Sequence, residues 1–381
     1  MSKDKIKINV NKERLVQNFS ELVKIDSVSF EERSMADALK ALFSELGIEL
    51  YEDDAASKIG GNAGNLYGYW PGELPGAPLL FSAHMDTVTP GKGKQAVLGE
   101  DGRITGAGDT VLGADDLSGI TAIIEAVRTI EEKHIPHRDI EFLFPAAEEA
   151  YIRGSRVFDY TKVRSKQAYV LDLSGSVGSA SLQEPTLISF QVLIKGKAAH
   201  AGFAPQDGIH AIAVAAEAIT EIEQGKIGKK TTVNIGKISG GQATNIVPEL
   251  VTLEGEIRSY SHKKALKQLE IIEKKFKETA AGYKAEAEVN YEINLQAYEV
   301  DPEETVVKSF CSVCDGLGIE KQLTKTFGGS DNNSFLQHGI KGIVLACGMN
   351  QVHSTKEYTT AEELERCAQI VAGLMTCPEE K

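Results

Sequence analysis

Three runs of consecutive apolar residues, LLFSA at 79–83, IEFLFPAA at 140–147 and AYVLDL at 168–173, each pass within a few positions into histidine or acidic side chains. Continuous apolar runs, unlike alternating ones, suit strands buried on both faces, and such strands belong to sheets covered by helices on either side. Between the first two runs lies LSGITAIIEAVRTIEEK, with Ile120, Ile123, Ile124, Val127 and Ile130 at helical spacing. GIVLACG near the C-terminal end repeats the strand pattern, and AEELERCAQIVAGLMTC reads as a closing helix capped by Thr359 or Thr360. The expected class is α/β, a mixed, mostly parallel sheet flanked by helices.

The middle of the chain has a different rhythm. Strands are expected at Leu187 to Ile194, Thr232 to Ile238, Leu250 to Ser259 and Ala285 to Ile293, with helices near Asp207 to Glu223 and His262 to Ala281. The order β, α, β, β, α, β is that of a ferredoxin-like split βαβ unit. It predicts an inserted α+β domain at 183–295 and a larger domain built from 1–182 and 296–381.

Composition narrows the function. A chain of 381 residues with a formal charge of −14 is a poor nucleic-acid partner unless a basic patch is segregated, and no such patch is evident. The lysine-rich piece from Lys263 to Lys277 alternates with Leu266, Leu269, Ile272 and Phe276, as an amphipathic helix with a solvated face would. Five cysteines form a sparse set, and the lone C-x-x-C at Cys311 and Cys314 falls in a helical pattern, so free thiols are expected rather than a zinc site. MSKDKIKINVNKERL has no continuous apolar core, and no later stretch approaches the about 20 apolar residues of a membrane span. A cytoplasmic protein with no membrane or nucleic-acid partner is the expectation.

The polar residues fall where open α/β sheets build their sites, beyond the carboxyl ends of strands. His84 and Asp86 follow LLFSA, two apart and so directed the same way. Asp115 and Asp116 open a helix after a glycine-rich turn, where they could also serve only to cap it. Glu148 and Glu149 follow IEFLFPAA and could be a solvated loop; Asp172 ends AYVLDL, and His353 lies beyond GIVLACG. Two imidazoles with several carboxylates suit zinc, manganese or cobalt. They are too many for one tetrahedral ion and about right for two ions roughly 3.5 to 4 Å apart that share a carboxylate and hold a water. An unligated glutamate beside that water could take its proton and return it to a leaving amine.

The ordered set HMDTV at 84–88, GADD at 113–116, EE at 148–149, Asp172 in VLDLSG and VHS at 352–354 resembles the co-catalytic zinc peptidases, a family that includes peptidase T-like enzymes, aminoacylases and glutamate-releasing carboxypeptidases. The resemblance spans nearly the whole chain. It implies that His84 and Asp172 bind one metal, that Glu149 and His353 bind the other, that Asp115 bridges both, and that the bond between Asp115 and Asp116 is cis. Asp86 would hold the His84 ring, and Glu148 would be the general base and acid. It further implies that the inserted domain is a lid whose His200, in GKAAHAGFAPQDG, polarises the scissile carbonyl. Asn245, Arg258, Gly329 and Ser330 would contact substrate, with Gly328 and Asp331 in the same FGGSDNN loop. On their own residues, Asn245 could merely hold a turn and Arg258 could pair with Glu256.

The implied activity is metal-dependent removal of the first residue from tripeptides, with two divalent ions, zinc foremost. The pair EE is followed by AYIRGS and GADD by LSG, departures from the family pattern that touch no expected ligand but bear on substrate choice. An N-acyl amino acid deacylase, a dipeptidase or carboxypeptidase, and a catalytically idle peptide-binding protein are the alternatives. A homodimer through the lid is one option, since the family contains both monomers and lid-mediated dimers.

Overall fold

The computed structural model describes residues 8 to 378. The chain divides into two compact units: one contains residues up to Leu182 with Glu299–Lys325 and the segment from Ser330 onward, and the other contains Gln183–Tyr298 with Thr326–Gly329.

The larger unit is built on an eight-stranded sheet in the order Leu50–Glu52, Leu66–Trp70, Ile140–Phe144, Leu79–Ser82, Gln167–Leu173, Lys341–Ala346, Ser179–Ser181 and Gln322–Thr324. Its four central strands run parallel, so their carboxyl ends share one edge. The apolar runs are continuous because both faces are covered. Phe81, Phe142 and Tyr169 lie in register on one face, where Phe142 and Phe144 meet the Phe43 ring edge-on at 5.2 Å. Leu80, Leu143, Ala168 and Val170 face the other way and form a core with Phe158 and Phe335. The closing helix is Ala361–Thr376, and Thr360 caps it by accepting from the Glu363 amide.

The helix Ala114–Lys133 carries the glycine-rich GADDLSG segment, but Asp115 and Asp116 themselves have non-helical backbone and are joined by a cis peptide bond. Its regular turns lie close on the sheet. A Cβ at Gly119 would come within 2.8 Å of the Leu171 carbonyl oxygen and 2.5 Å of Asp116 Oδ1. Only glycine lets the helix approach the Gln167–Leu173 strand this closely, which is what holds the two aspartates against the strand ends.

The smaller unit is a five-stranded antiparallel sheet, ordered Gly225–Ile227, Thr231–Gly240, Leu250–Ser259, Thr186–Lys195 and Glu286–Leu295. Its helices Ala211–Thr220 and His262–Gly282 share one core with the sheet, through Val214, Ala218, Leu269, Ile272 and Phe276. Without the first, short strand this is the expected ferredoxin-like order.

Three details differ from the sequence reading. The first helix begins at Ala211 rather than Asp207, because Gly208 is extended and the His210 ring caps the helix by accepting from the Ala213 amide. The edge strand Gly225–Ile227 was not anticipated, since three residues carry no alternation. Thr326–Gly329 groups with the smaller unit, where Arg258 donates to the Phe327 carbonyl at 2.8 Å and the Tyr260 ring packs on Phe327.

Alanine is the better helix former by about 1 kcal/mol, but overpacking against backbone costs about 1 to 3 kcal/mol. Gly119→Ala is therefore expected to lower the urea unfolding midpoint, and Gly119→Val to lower it further. A midpoint equal to that of the native chain in both variants would show that the close approach is not a constraint.

Candidate metal centre

Four parallel strands deliver the polar groups to one edge. His84 and Asp86 follow Leu79–Ser82, Glu148 and Glu149 follow Ile140–Phe144, Asp172 lies in Gln167–Leu173, and His353 follows Lys341–Ala346. The structure brings these residues together with Asp115, all within the larger unit. His84 Nε2 stands 3.0 Å from Asp115 Oδ1 and 3.9 Å from Asp172 Oδ1. His353 Nε2 stands 2.9 Å from Glu149 Oε1 and 3.2 Å from Asp115 Oδ2. The two oxygens of Asp115 thus face two different imidazoles. Ligand atoms of His84, Glu148 and Asp172, and of His84, Asp115 and Glu149, also lie within 4.8 Å of one another.

These spacings fit a cation. Two donors bound to one tetrahedral zinc at about 2.0 to 2.1 Å are separated by about 3.3 Å, close to the N to O distances found here. The donor set is right as well, since imidazole and carboxylate without thiolate suit zinc, manganese or cobalt. Cys311 and Cys314 are free thiols on the helix Thr305–Leu317, and Cys314 is buried.

Asp86 organises two arms of the centre. His84 Nδ1 lies 2.9 Å from the Asp86 main-chain carbonyl and 3.4 Å from its carboxylate, so Nδ1 carries a proton and Nε2 is directed at Asp115 and Asp172. The same carboxylate accepts from the amides of Glu148 at 2.9 Å and Glu149 at 3.2 Å, and from the Ser29 hydroxyl at 2.7 Å. One buried side chain therefore sets the positions of a histidine and of the glutamate pair.

Two supporting residues, Glu357 and Lys94, escaped the sequence reading. Glu357 is buried and accepts from the amides of Gly113 at 2.7 Å and Asp115 at 2.9 Å, clamping the turn that carries the central aspartate. Gly113 has φ near +79°, and a Cβ there would meet Thr87 and the stem of buried Lys94. The Lys94 ammonium donates to the carbonyls of Ile25 and Gly91 at 3.0 Å, and burial lowers its pKa to about 8. Asp116 accepts from the His84 amide at 3.2 Å. Gly113 and Asp116 belong to the GADD motif that the sequence already marked.

The residues expected to meet substrate are placed variously. In the smaller unit His200 Nδ1 accepts from the amides of Gly202 and Phe203, both at 3.1 Å, which leaves the ring proton on Nε2. Asn245 is exposed, and its carbonyl accepts from the Ala201 amide. Arg258 donates to both Glu256 oxygens, at 2.9 and 3.2 Å, so its fork is engaged by an acid of its own strand. Gly329 is partly exposed in the same unit. In the larger unit Ser330 is buried, and its hydroxyl accepts from the Asn332 amide. Asp331 is also buried, and burial raises its pKa to about 7.

The electrostatics are those of crowded acids. Burial raises the pKa of Glu148 well above the usual carboxylate range, and Glu149 adds to the effect. Burial does the same to Asp172, reinforced by Glu148 and Asp115. Burial opposes a charge on His84, yet Asp115 and Asp86 outweigh it and raise its pKa well above the ordinary value. Asp115 and Glu149 raise that of His353 to about 10. Without cations the cluster holds protons instead.

Comparison with known proteins sets the family. The uncharacterised protein YqjE of Bacillus subtilis is 36% identical over 366 residues, which span 96% of this chain and 98% of its own length. The crystal structure of the aminopeptidase PepT from Bacillus cereus is 36% identical over 96% of this chain and 98% of that one, with a TM-score of 0.89. The chain belongs to the peptidase T-like metallopeptidases. A tripeptidase structure from Staphylococcus aureus matches this peptidase T-like chain at 33% identity and a TM-score of 0.93, over 96% of one chain and 98% of the other. The family models for a peptidase dimerisation domain and for peptidase family M28 match residues 183–284 and 65–225. A dinuclear metal-binding peptidase of Bacillus subtilis, YXEP, shares the fold with a TM-score of 0.72 at 18% identity. Among the described residues no helix is long and apolar enough to cross a membrane.

Metal binding competes with protons on His84 and His353 and on the raised-pKa acids Glu148 and Asp172. All four pKa values are raised, so affinity for zinc should increase as pH rises, and loading at pH 7 should release protons. Isothermal titration with zinc in two buffers of different ionisation enthalpy reads this directly. Equal heats in the two buffers would contradict the protonated cluster.

Proposed function

We infer that the chain is a dinuclear metal-dependent aminopeptidase that removes the first residue of short peptides, tripeptides foremost. The observation that carries this reading is the Asp115 carboxylate, with one oxygen toward His84 and the other toward His353. Such a placement suits a carboxylate shared by two cations, with His84 and Asp172 completing one position and Glu149 and His353 the other. Zinc is the first candidate, with manganese and cobalt compatible with the same donors. Bound there, divalent ions would bring the pKa of a water near neutrality and polarise the scissile carbonyl.

The chain's own residues supply the rest. Glu148 is buried with a raised pKa, the property of a group that takes a proton from water and returns it to the leaving amine nitrogen. Asp86 anchors the Glu148 and Glu149 amides, which supports a division of labour between the adjacent carboxylates. The Nε2 proton of His200 suits a donor to a developing oxyanion. Substrate contacts by Asn245, Arg258, Gly329 and Ser330 rest on the family resemblance. For Arg258 the reading requires that Glu256 yield its place to a substrate carboxylate. The PepT and tripeptidase relatives support a tripeptide substrate, and the match to a peptidase dimerisation domain supports a homodimer formed through the smaller unit.

The test compares one free-amino tripeptide with its N-acetylated twin and the matching dipeptide, using protein stripped by chelator and refilled with zinc, manganese or cobalt. Cleavage restored by metal and confined to the free tripeptide is expected. Preference for the acetylated compound would move the activity to deacylation, and no turnover by metal-loaded protein would contradict the reading. Under the same conditions Glu148→Gln should keep its metal content and lose at least about a hundredfold in turnover. Full activity in that variant would remove Glu148 from the proton path.

A further inference from the structure

The smaller unit holds a cleft of about 230 Å³ lined by Ile227, Gly228, Lys229, Lys230, Thr231, Lys264, Lys267, Gln268 and Ile271. Four of these are lysines and none is an acid, in a chain whose formal charge is −14. The sequence reading did not single out this local cluster, because its lysines come from two segments far apart in the chain.

The fold creates the patch from two distant segments. The three-residue turn Gly228-Lys229-Lys230 closes the hairpin between Gly225–Ile227 and Thr231–Gly240, and Gly228 takes φ near +60°. Opposite stands one stripe of the helix His262–Gly282, with Lys264, Lys267, Gln268 and Ile271 at i, i+3, i+4 and i+7 over about 10 Å.

Lysines in the C-terminal half of this helix are paired with acids. Lys274 pairs with Glu278, Lys275 with Glu221 and Lys277 with Glu273. Among the described residues, none of the four cleft lysines has a carboxylate partner. Lys263 and Lys264 also occupy the first turn of the helix, which contains no acid, and there the macrodipole disfavours a cation. An anion in the cleft would relieve both the mutual repulsion and the unfavourable helix end.

The lining also narrows the anion. Planar carboxylates are matched by the arginine fork, and the cleft has no arginine; ammonium groups bind phosphate oxygens as point charges from several directions. Four such charges exceed what one phosphate neutralises. Ile227 and Ile271 offer apolar surface to an organic substituent. We propose that this cleft is a binding site for a small diphosphate-bearing anion, either free pyrophosphate or a nucleoside diphosphate.

Calorimetric titration of the metal-loaded full chain with pyrophosphate, ADP, AMP and citrate tests the site. Pyrophosphate and ADP should bind more tightly than AMP or citrate, and more weakly as salt is raised. Tighter binding of ADP would assign the nucleoside form, and comparable binding would assign pyrophosphate itself. Lys264→Gln combined with Lys267→Gln should weaken binding at least about tenfold, while Lys274→Gln with Lys277→Gln should leave it unchanged. Both double variants should retain the ligand-free peptide hydrolysis of the native chain, which verifies their folding. No binding, equal binding by both double variants, or AMP or citrate binding as tightly as pyrophosphate would overturn the proposal. So would tighter binding of a short oligonucleotide or of acidic vesicles than of ADP.

Discussion

Carboxylates removed from water cannot remain ionised without compensation. At the edge of the central sheet, Asp86, Asp115, Asp116, Glu148, Glu149 and Asp172 gather around only two imidazoles. Asp86 and Asp116 accept hydrogen bonds from backbone amides, which fix them as scaffold. Against the effect of burial, the two imidazoles hold the Asp115 carboxyl below its usual range, whereas burial raises the pKa of Glu148, Glu149 and Asp172. A bare cluster must therefore bind protons, and divalent cations satisfy it better because each supplies two charges at a fixed distance. The parallel strands, the close approach at Gly119 and the clamp from Glu357 all gather acids where protons or cations must offset their charge.

The same constraint explains how much could be read from the chain. His84, Glu148, Glu149, Asp172 and His353 were visible because each follows or ends an apolar run, and strand ends in open α/β sheets share one edge. Asp115 was visible through its glycine-rich turn. Glu357 was not, because its task is to hold amides 244 and 242 residues away in sequence, and HSTKEY carries no local sign of burial. Lys94 looks like an ordinary surface lysine in GKGKQ, yet it lies beneath the Gly113 turn. Both failures concern tertiary proximity, which periodicity does not encode.

The ferredoxin-like order of the smaller unit was legible because its strands are long and its helices amphipathic. Its surface was less so. Helical periodicity correctly placed Leu269, Ile272 and Phe276 inward, and this made the lysines on the opposite side look uniformly solvated. Whether a surface lysine is paired with an acid depends on neighbours from other segments. Lys275 finds Glu221, whereas Lys264 and Lys267 face two further lysines across a cleft. Arg258 illustrates the converse, a cation expected to meet substrate that is paired with Glu256 on its own strand.

The account rests on Asp115 as the carboxylate shared between two cations. The most direct measurement is diffraction at the zinc absorption edge from crystals of zinc-loaded protein. Two anomalous peaks about 3.5 to 4 Å apart, one beside each Asp115 oxygen, are predicted. A single peak, or two peaks of which only one contacts Asp115, would contradict it.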